Sequence, residues 1–491
     1  MEQDRVQIPF SPLWANMFPM PMTPFERYLV ADDRPACPMT VVMYFIFRGS
    51  IQRASLEEAF RQAVAYEPAF WTRAACRKGK HSLELDLKNP PRLHFRTLQR
   101  NPSETREGRF TLPNMDTREN PWVTFWVEEA PEEVRITCLM HHLAGDGRGT
   151  MDFMGLWLAA YERLINPHSE LELCPPDPEL FARREELHIE LPGKLSLGTL
   201  IYVSIKEAMK WFYRRPWVLR GDEPADHSSP EEGNFSPAPV HPEMLPPEAG
   251  GPVIHWQVLD NRLKERYLAA AKKHGVAVNS LFMRDLYLTL KYWREHLLEK
   301  KLTPPRRNAW LRVLMPGDLR NAHHEEMPCT NLIGYTFFDY LPEECGRDEA
   351  FLRKIQDIST LSQKWSGGAM FLNGLRTFCK IPGALAWVTS EKRCHSTSIL
   401  SNLGVCCRYL RNPYFREIRN LRVTGLEMIR CQGMPPIREN TPVSVGVVTH
   451  AEDMVLSVAV DHRVFSDDAA KRFIEAYFRQ LRETVGDAKN T

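Results

Sequence analysis

One arrangement of residues occurs twice in this chain, and it constrains the fold more than any other feature. At 122–165, "WVTFWVEEAPEEVRITCLMHH" reads as two strands rich in β-branched and aromatic residues, joined by a short polar turn around Pro131. A helix follows from about Thr150 to Ile165, where Asn166-Pro167 stops it. At 441–485 the same grammar returns. "TPVSVGVVTHAEDMVLSVAVDH" gives two strands, and "SDDAAKRFIEAYFRQLRETV" gives a helix with Phe473, Ile474, Tyr477 and Leu481 at helical spacing. A unit of strand, turn, strand, histidine, turn and helix that recurs this way predicts two lobes of similar architecture. Short links between strands predict mostly antiparallel or mixed sheets with flanking helices, an α/β (α+β) fold.

Composition agrees with a large soluble chain. At 491 residues, 25% charged and 43% hydrophobic, it has enough material for more than one core. Between the lobes, 222–252 is rich in Pro, Glu, Ser and Gly and reads as a linker or crossover. The expected division is 1–221, 222–252 and 253–491. A formal net charge of +1 gives no reason to expect a nucleic-acid partner. The N-terminus lacks the basic and apolar regions of a signal peptide, and no run suits a membrane span. Eleven cysteines without a C-x-x-C pair suggest reduced thiols in a cytoplasmic setting; the neighbours Cys406 and Cys407 are poorly placed for an ordinary disulfide.

The first strand–helix junction, "HHLAGDG" at 141–147, carries chemistry. Strand alternation puts Val134, Ile136, Cys138, Met140 and His142 on one face and Arg135, Thr137, Leu139 and His141 on the other. The two histidines therefore cannot grip one metal ion from a regular strand, and no metal is expected. A single imidazole fixed and partly desolvated at a strand end suits proton transfer instead. Gly145-x-Gly147-x-Gly149 lacks the spacing and the β-α-β context of a dinucleotide loop. His323-His324 with Glu325-Glu326 lies in a polar stretch and reads as solvated surface.

"HHLAGDG" matches the HHxxxDG motif, and the chain resembles the CoA-dependent acyltransferase superfamily, which includes chloramphenicol acetyltransferase, condensation domains, alcohol acetyltransferases and wax-ester synthases. "MTPFERYLV", "PAFWTRAACRKG", "GVAVNSLFMRDLYLTLKYW", "RVLMPGDLRN…TNLIGYTF" and "SILSNLG" resemble its other segments in order, although Gly334-Tyr335 stands where the family has Gly-Asn. The resemblance implies a tunnel between two lobes, with His142 as general base toward an acceptor alcohol or amine attacking an acyl thioester. It implies that Asp146 pairs with Arg320 and that Gly147 allows close packing, so these three support the site. Coenzyme A thioester would be a co-substrate, with no cofactor bound permanently; a carrier-protein pantetheine thioester is the alternative donor. A non-catalytic scaffold that keeps the fold is a third possibility. Ser401 and Asn402 are candidate substrate or oxyanion contacts, or equally a strand-end turn.

The second junction, "DHRVFSDD" at 461–468, resembles the DHRVxDG form of the motif. Counting from His462, however, Ser466 holds the Asp position and Asp467 the Gly position. It is expected to be an inactive pseudo-repeat, with Ser466 capping the last helix. Finally, the basic amphipathic stretch at 194–221 carries Leu197, Ile201, Ala208 and Phe212 on one side and Lys206, Lys210 and Arg214 on another, with Arg215 adjacent. With Trp211 and Trp217 it suits either packing across the lobes or peripheral contact with an anionic membrane. A monomer is expected.

Overall fold

The structure is a computed structural model that describes residues 12–111, 121–185, 213–223, 252–303, 309–321, 324–364 and 367–486. Two sheets dominate it. The first runs in the order Arg422–Val423, Leu426–Met434, Thr40–Gly49, Glu133–His141, Val123–Glu129 and Arg92–Thr97. The second runs Ile333–Tyr340, Ala309–Asp318, Ser398–Val405, Val443–His450, Asp453–Asp461, Pro252–Leu259 and Glu107–Thr111. Most neighbours are antiparallel, and Ser398–Val405 is parallel to both of its partners. The mixed, two-lobed architecture expected from the repeated unit is present.

Both repeated units form as their periodicity dictates. Leu56, Ala59, Phe60 and Ala63 on the helix Arg53–Val64 are buried against the first sheet. The helix Gly147–Ile165 packs beside it, with Phe60 and Trp157 meeting edge to face at 4.9 Å. In the second lobe, helix Asn261–His274 ends at Gly275, whose φ of +62° is the left-handed cap that glycine adopts without strain. The final helix, Asp467–Thr484, buries Phe473, Tyr477 and Leu481.

The lobes do not follow the halves of the chain. Leu426–Met434 leaves the second half to pair with Thr40–Gly49, and Glu107–Thr111 leaves the first half to pair with Pro252–Leu259. Residues just before the expected boundary at 221 already pack with the second lobe. Trp217 and Leu219 are buried in the second core, and Trp217 donates through Nε1 to Thr303 Oγ1 at 3.2 Å. A buried Trp217 is not available to a membrane. Asp222, expected in the linker, is buried and bound by His296, Lys300 and Arg472. Pro252 opens a strand. The rest of the linker, and 194–212 of the basic stretch, lie outside the described residues. Among the described residues, no helix is long and apolar enough to cross a membrane.

The faces of the two sheets meet through a third apolar cluster that includes Val42, Tyr44, Trp126, Leu139, Trp256 and Val455. At one point the backbones come so close that a Cβ on Gly446 would lie 2.5 Å from the Gly433 carbonyl oxygen. A cavity of about 1220 Å³ opens between the lobes and is lined by both, with Gly433 and Gly446 in its wall.

Candidate active site

The strand Glu133–His141 lies inside the first sheet, between Thr40–Gly49 and Val123–Glu129. Val134, Ile136, Cys138 and Met140 are buried in the first core, which pins the strand and fixes where its end emerges. The two histidines then part as the alternation requires. His141 is fully buried, with Nε2 3.5 Å from Asp33 Oδ1 and Nδ1 accepting from the Leu143 amide at 3.2 Å. Its neighbour His142 lines the cavity. The His142 amide donates to the Met39 carbonyl at 2.7 Å, and its carbonyl accepts from the Asn331 side-chain amide.

His142 Nδ1 is enclosed, with no hydrogen-bond partner among the described residues. Burial pulls the imidazole below its ordinary pKa; Asp146, Asn331 and the residue's own carbonyl oppose this without cancelling it, and His141 adds to it. At neutral pH the ring is uncharged, the form that accepts a proton.

Asp146 organises the loop after the histidines. One carboxylate oxygen accepts from the Gly149 amide at 2.9 Å and so caps the helix Gly147–Ile165. Arg320 forms a bidentate pair with it at 3.0 Å and 3.0 Å, and the Leu332 amide adds a bond at 3.0 Å. Burial alone would raise the Asp146 pKa, but Arg320 and these amides hold it below the usual carboxylate range. Arg320 also donates to Asp318 and to the Thr330 carbonyl. Asn331 and Leu332 thus carry two bonds into the loop, and Thr330 holds Arg320 beside it. Asn331, which sequence reasoning did not single out, holds the backbone of His142 itself; the quoted "TNLIG" stretch was the signal that could have found it.

The glycines of this loop serve packing. A Cβ on Gly145 would collide with Cys329 Sγ, and one on Gly149 would lie 2.7 Å from it. Cys329 is in turn held by Glu67, which accepts from its amide at 2.6 Å. Burial raises the Glu67 carboxyl to about 8. A Cβ on Gly147 would meet Leu403 Cδ2 at 3.0 Å.

Ser401 and Asn402 also line the cavity, as does Tyr335. Asn402 Oδ1 accepts from the Gly404 amide at 2.7 Å, its Nδ2 donates to Asn279, and the strand register shifts between residues 402 and 404. Asn402 therefore shapes a bulge. Among the described residues no hydrogen bond holds the Ser401 hydroxyl.

His324 differs from the sequence reading. It is buried, lines the cavity and accepts from the Asn321 amide through Nδ1 at 3.0 Å, whereas Glu325 and Glu326 are exposed. The backbone turn at 324–327 folds its ring inward. His323 lies outside the described residues. At the second junction, Ser466 Oγ accepts from the Ala469 amide at 3.1 Å and caps the last helix, and His462 is not among the residues lining the cavity. All eleven cysteines are free thiols.

No family model matches the chain, and no curated protein does. Solved structures do match over nearly all of it. The SgcC5 protein from Streptomyces globisporus is 16% identical with a TM-score of 0.63, covering 95% of this chain and 99% of that one. The first condensation domain of the CDA synthetase is 12% identical with a TM-score of 0.62, covering 96% and 97%. The epimerization domain from the third module of tyrocidine synthetase B is 12% identical with a TM-score of 0.61, covering 96% of each. The fold is that of the condensation and epimerization domains, shared with the CoA-dependent acyltransferases.

Proposed function

We propose that the protein is an acyltransferase that moves an acyl group from a pantetheine thioester to an alcohol or amine, with His142 as general base. One observation carries this reading: a buried imidazole stands in the wall of the cavity where the lobes meet, on a loop clamped by Asp146 and Arg320. His142 would take the proton of the acceptor O–H or N–H as that atom attacks the thioester carbonyl. The tetrahedral oxyanion would then collapse, expelling the thiolate, which His142 reprotonates. Ser401 is the candidate donor to the oxyanion, and Asn402 holds the strand that presents it. At about 1220 Å³ the cavity exceeds the roughly 300–1,000 Å³ of common single-ligand sites, leaving room for a thioester arm and an acceptor together.

Coenzyme A is the donor we favour, because exposed Arg408 and Arg416 border the cavity and suit its phosphates. A carrier-protein donor is the second reading, supported by the likeness to condensation domains. Thermal melting with a panel of acyl-CoAs, free CoA and an acylated carrier protein separates the two. A ligand at about 100 times its Kd stabilises the native state by about 2.7 kcal/mol. A rise graded with acyl length supports the CoA thioester; a rise only with the carrier supports the second reading. No rise with any of them removes both.

A further inference from the structure

The second junction brings three buried polar atoms face to face without hydrogen bonds. Nε2 of His255, Nε2 of His462 and Oδ1 of Asp467 are each enclosed and lack a hydrogen-bond partner among the described residues. One ligand atom from each of the three residues lies within 4.8 Å of the other two. They come from separate elements: His255 from the strand Pro252–Leu259, His462 from just past the strand Asp453–Asp461, and Asp467 from the first turn of the final helix. Pairing of the two strands, with His255 opposite Val458, and the Ser466 cap fix all three backbones.

Protons do not settle this arrangement. An N–H on His462 can point at Asp467, but His255 Nε2 is then still without a hydrogen-bond partner among the described residues. An unmatched buried polar atom costs about 1–3 kcal/mol. A single cation accepts a lone pair from each of the three. The spacing suits one: His462 Nε2 and Asp467 Oδ1 stand 3.4 Å apart. Ligands at about 2.0–2.2 Å from a tetrahedral zinc ion stand roughly that far from each other.

The surroundings favour ligation too. Arg109 pairs with the other carboxylate oxygen of Asp467, Oδ2, leaving Oδ1 turned toward the imidazoles. An outer partner on a ligating carboxylate is what metal sites use to orient it.

We propose that His255, His462 and Asp467 bind one divalent transition-metal ion of the zinc type, with a fourth coordination position left for water. The ion would tie a strand, its neighbour's end and the last helix together, and through Arg109 it would reach the strand contributed by the first half of the chain. This inference does not depend on the role assigned to His142. The sequence hides the site because His255 is far from His462 in the chain.

The test uses the full-length protein, stripped with a chelator and titrated with Zn²⁺ by calorimetry and with Co²⁺ by absorption. The expected result is one ion per chain, a higher melting temperature with Zn²⁺, and Co²⁺ ligand-field bands without a thiolate charge-transfer band. Replacing His255 or His462 by Gln removes a direct ligand, so affinity should fall by more than the about 10–100-fold typical of losing an outer partner. Their melting in chelator, compared with stripped wild type, checks that they fold. The wild-type Co²⁺ spectrum decides alone if they do not. No stoichiometric binding by wild type overturns the proposal. So does a thiolate band, which would place the ion at Cys406, Cys407 and His450, and so does wild-type affinity in both folded variants.

Discussion

The two strand–histidine–helix junctions share a backbone plan and settle their charges in different ways. At the first, the carboxylate sits at the helix cap: Asp146 binds the Gly149 amide and reaches Arg320, beyond the end of the second-sheet strand Ala309–Asp318. At the second, a neutral Ser466 does the capping, and the carboxylate has moved to the strand end, where Asp461 binds Arg463 two residues on. The first loop is thereby locked across the two lobes, which holds His142 on the cavity between them. The second keeps its strand-end carboxylate on its own Arg463, and its histidine turns to His255 and Asp467. One fold element thus yields either a site between lobes or a local one, depending on where a single carboxylate is placed.

Breaking the clamp should have the largest effect on stability. Asp146→Ala takes the buried bidentate partner from Arg320, leaving it only the more exposed Asp318, and uncaps a helix, so we expect a loss of about 3–5 kcal/mol in denaturant unfolding. Turnover should fall with it, since the loop carries His142. Wild-type stability in this variant would mean that the cross-lobe pair is dispensable.

A smaller effect sharpens the same contrast. Gly145 corresponds in the second junction to Phe465, which is fully buried there. Gly145→Ala should cost about 1–3 kcal/mol, because the new methyl meets Cys329 Sγ, which Glu67 and the first core hold in place. An unchanged unfolding midpoint would show that Cys329 can move aside.

The smallest loss is expected at the second cap. Ser466→Ala removes one bond to the Ala469 amide and should cost about 1 kcal/mol, with acyl transfer unchanged. A loss of turnover there would couple the second junction to the first, contrary to this account.

Much of this contrast was legible in the sequence because it rests on local chemistry. The alternation of Val134, Ile136, Cys138 and Met140 separates His141 from His142, and the structure shows them buried and cavity-lining respectively. Ser466 announces its cap by its place before a helical run. The Asp146–Arg320 contact joins residues 174 positions apart and was suggested by the resemblance, not by spacing. What stayed hidden depends on distant partners. Leu426–Met434 and Glu107–Thr111 exchange lobes because each completes the other sheet, and neither carries a local sign of it. His324 turns inward through a turn that a run of polar residues does not reveal. His255 acquires meaning only when the fold sets it beside His462 and Asp467.

The central claim, that His142 is the base, is tested most directly by the pH dependence of kcat/KM for acyl transfer in wild type and in His142→Ala. Burial lowers the His142 pKa, and the base must be uncharged to work, so the acid limb of the wild-type profile should fall below the about 6.5 of a free histidine. His142→Ala should lower kcat/KM by about 10²–10⁴-fold and abolish that limb. A variant that keeps its turnover, or keeps the same acid limb, would contradict the account.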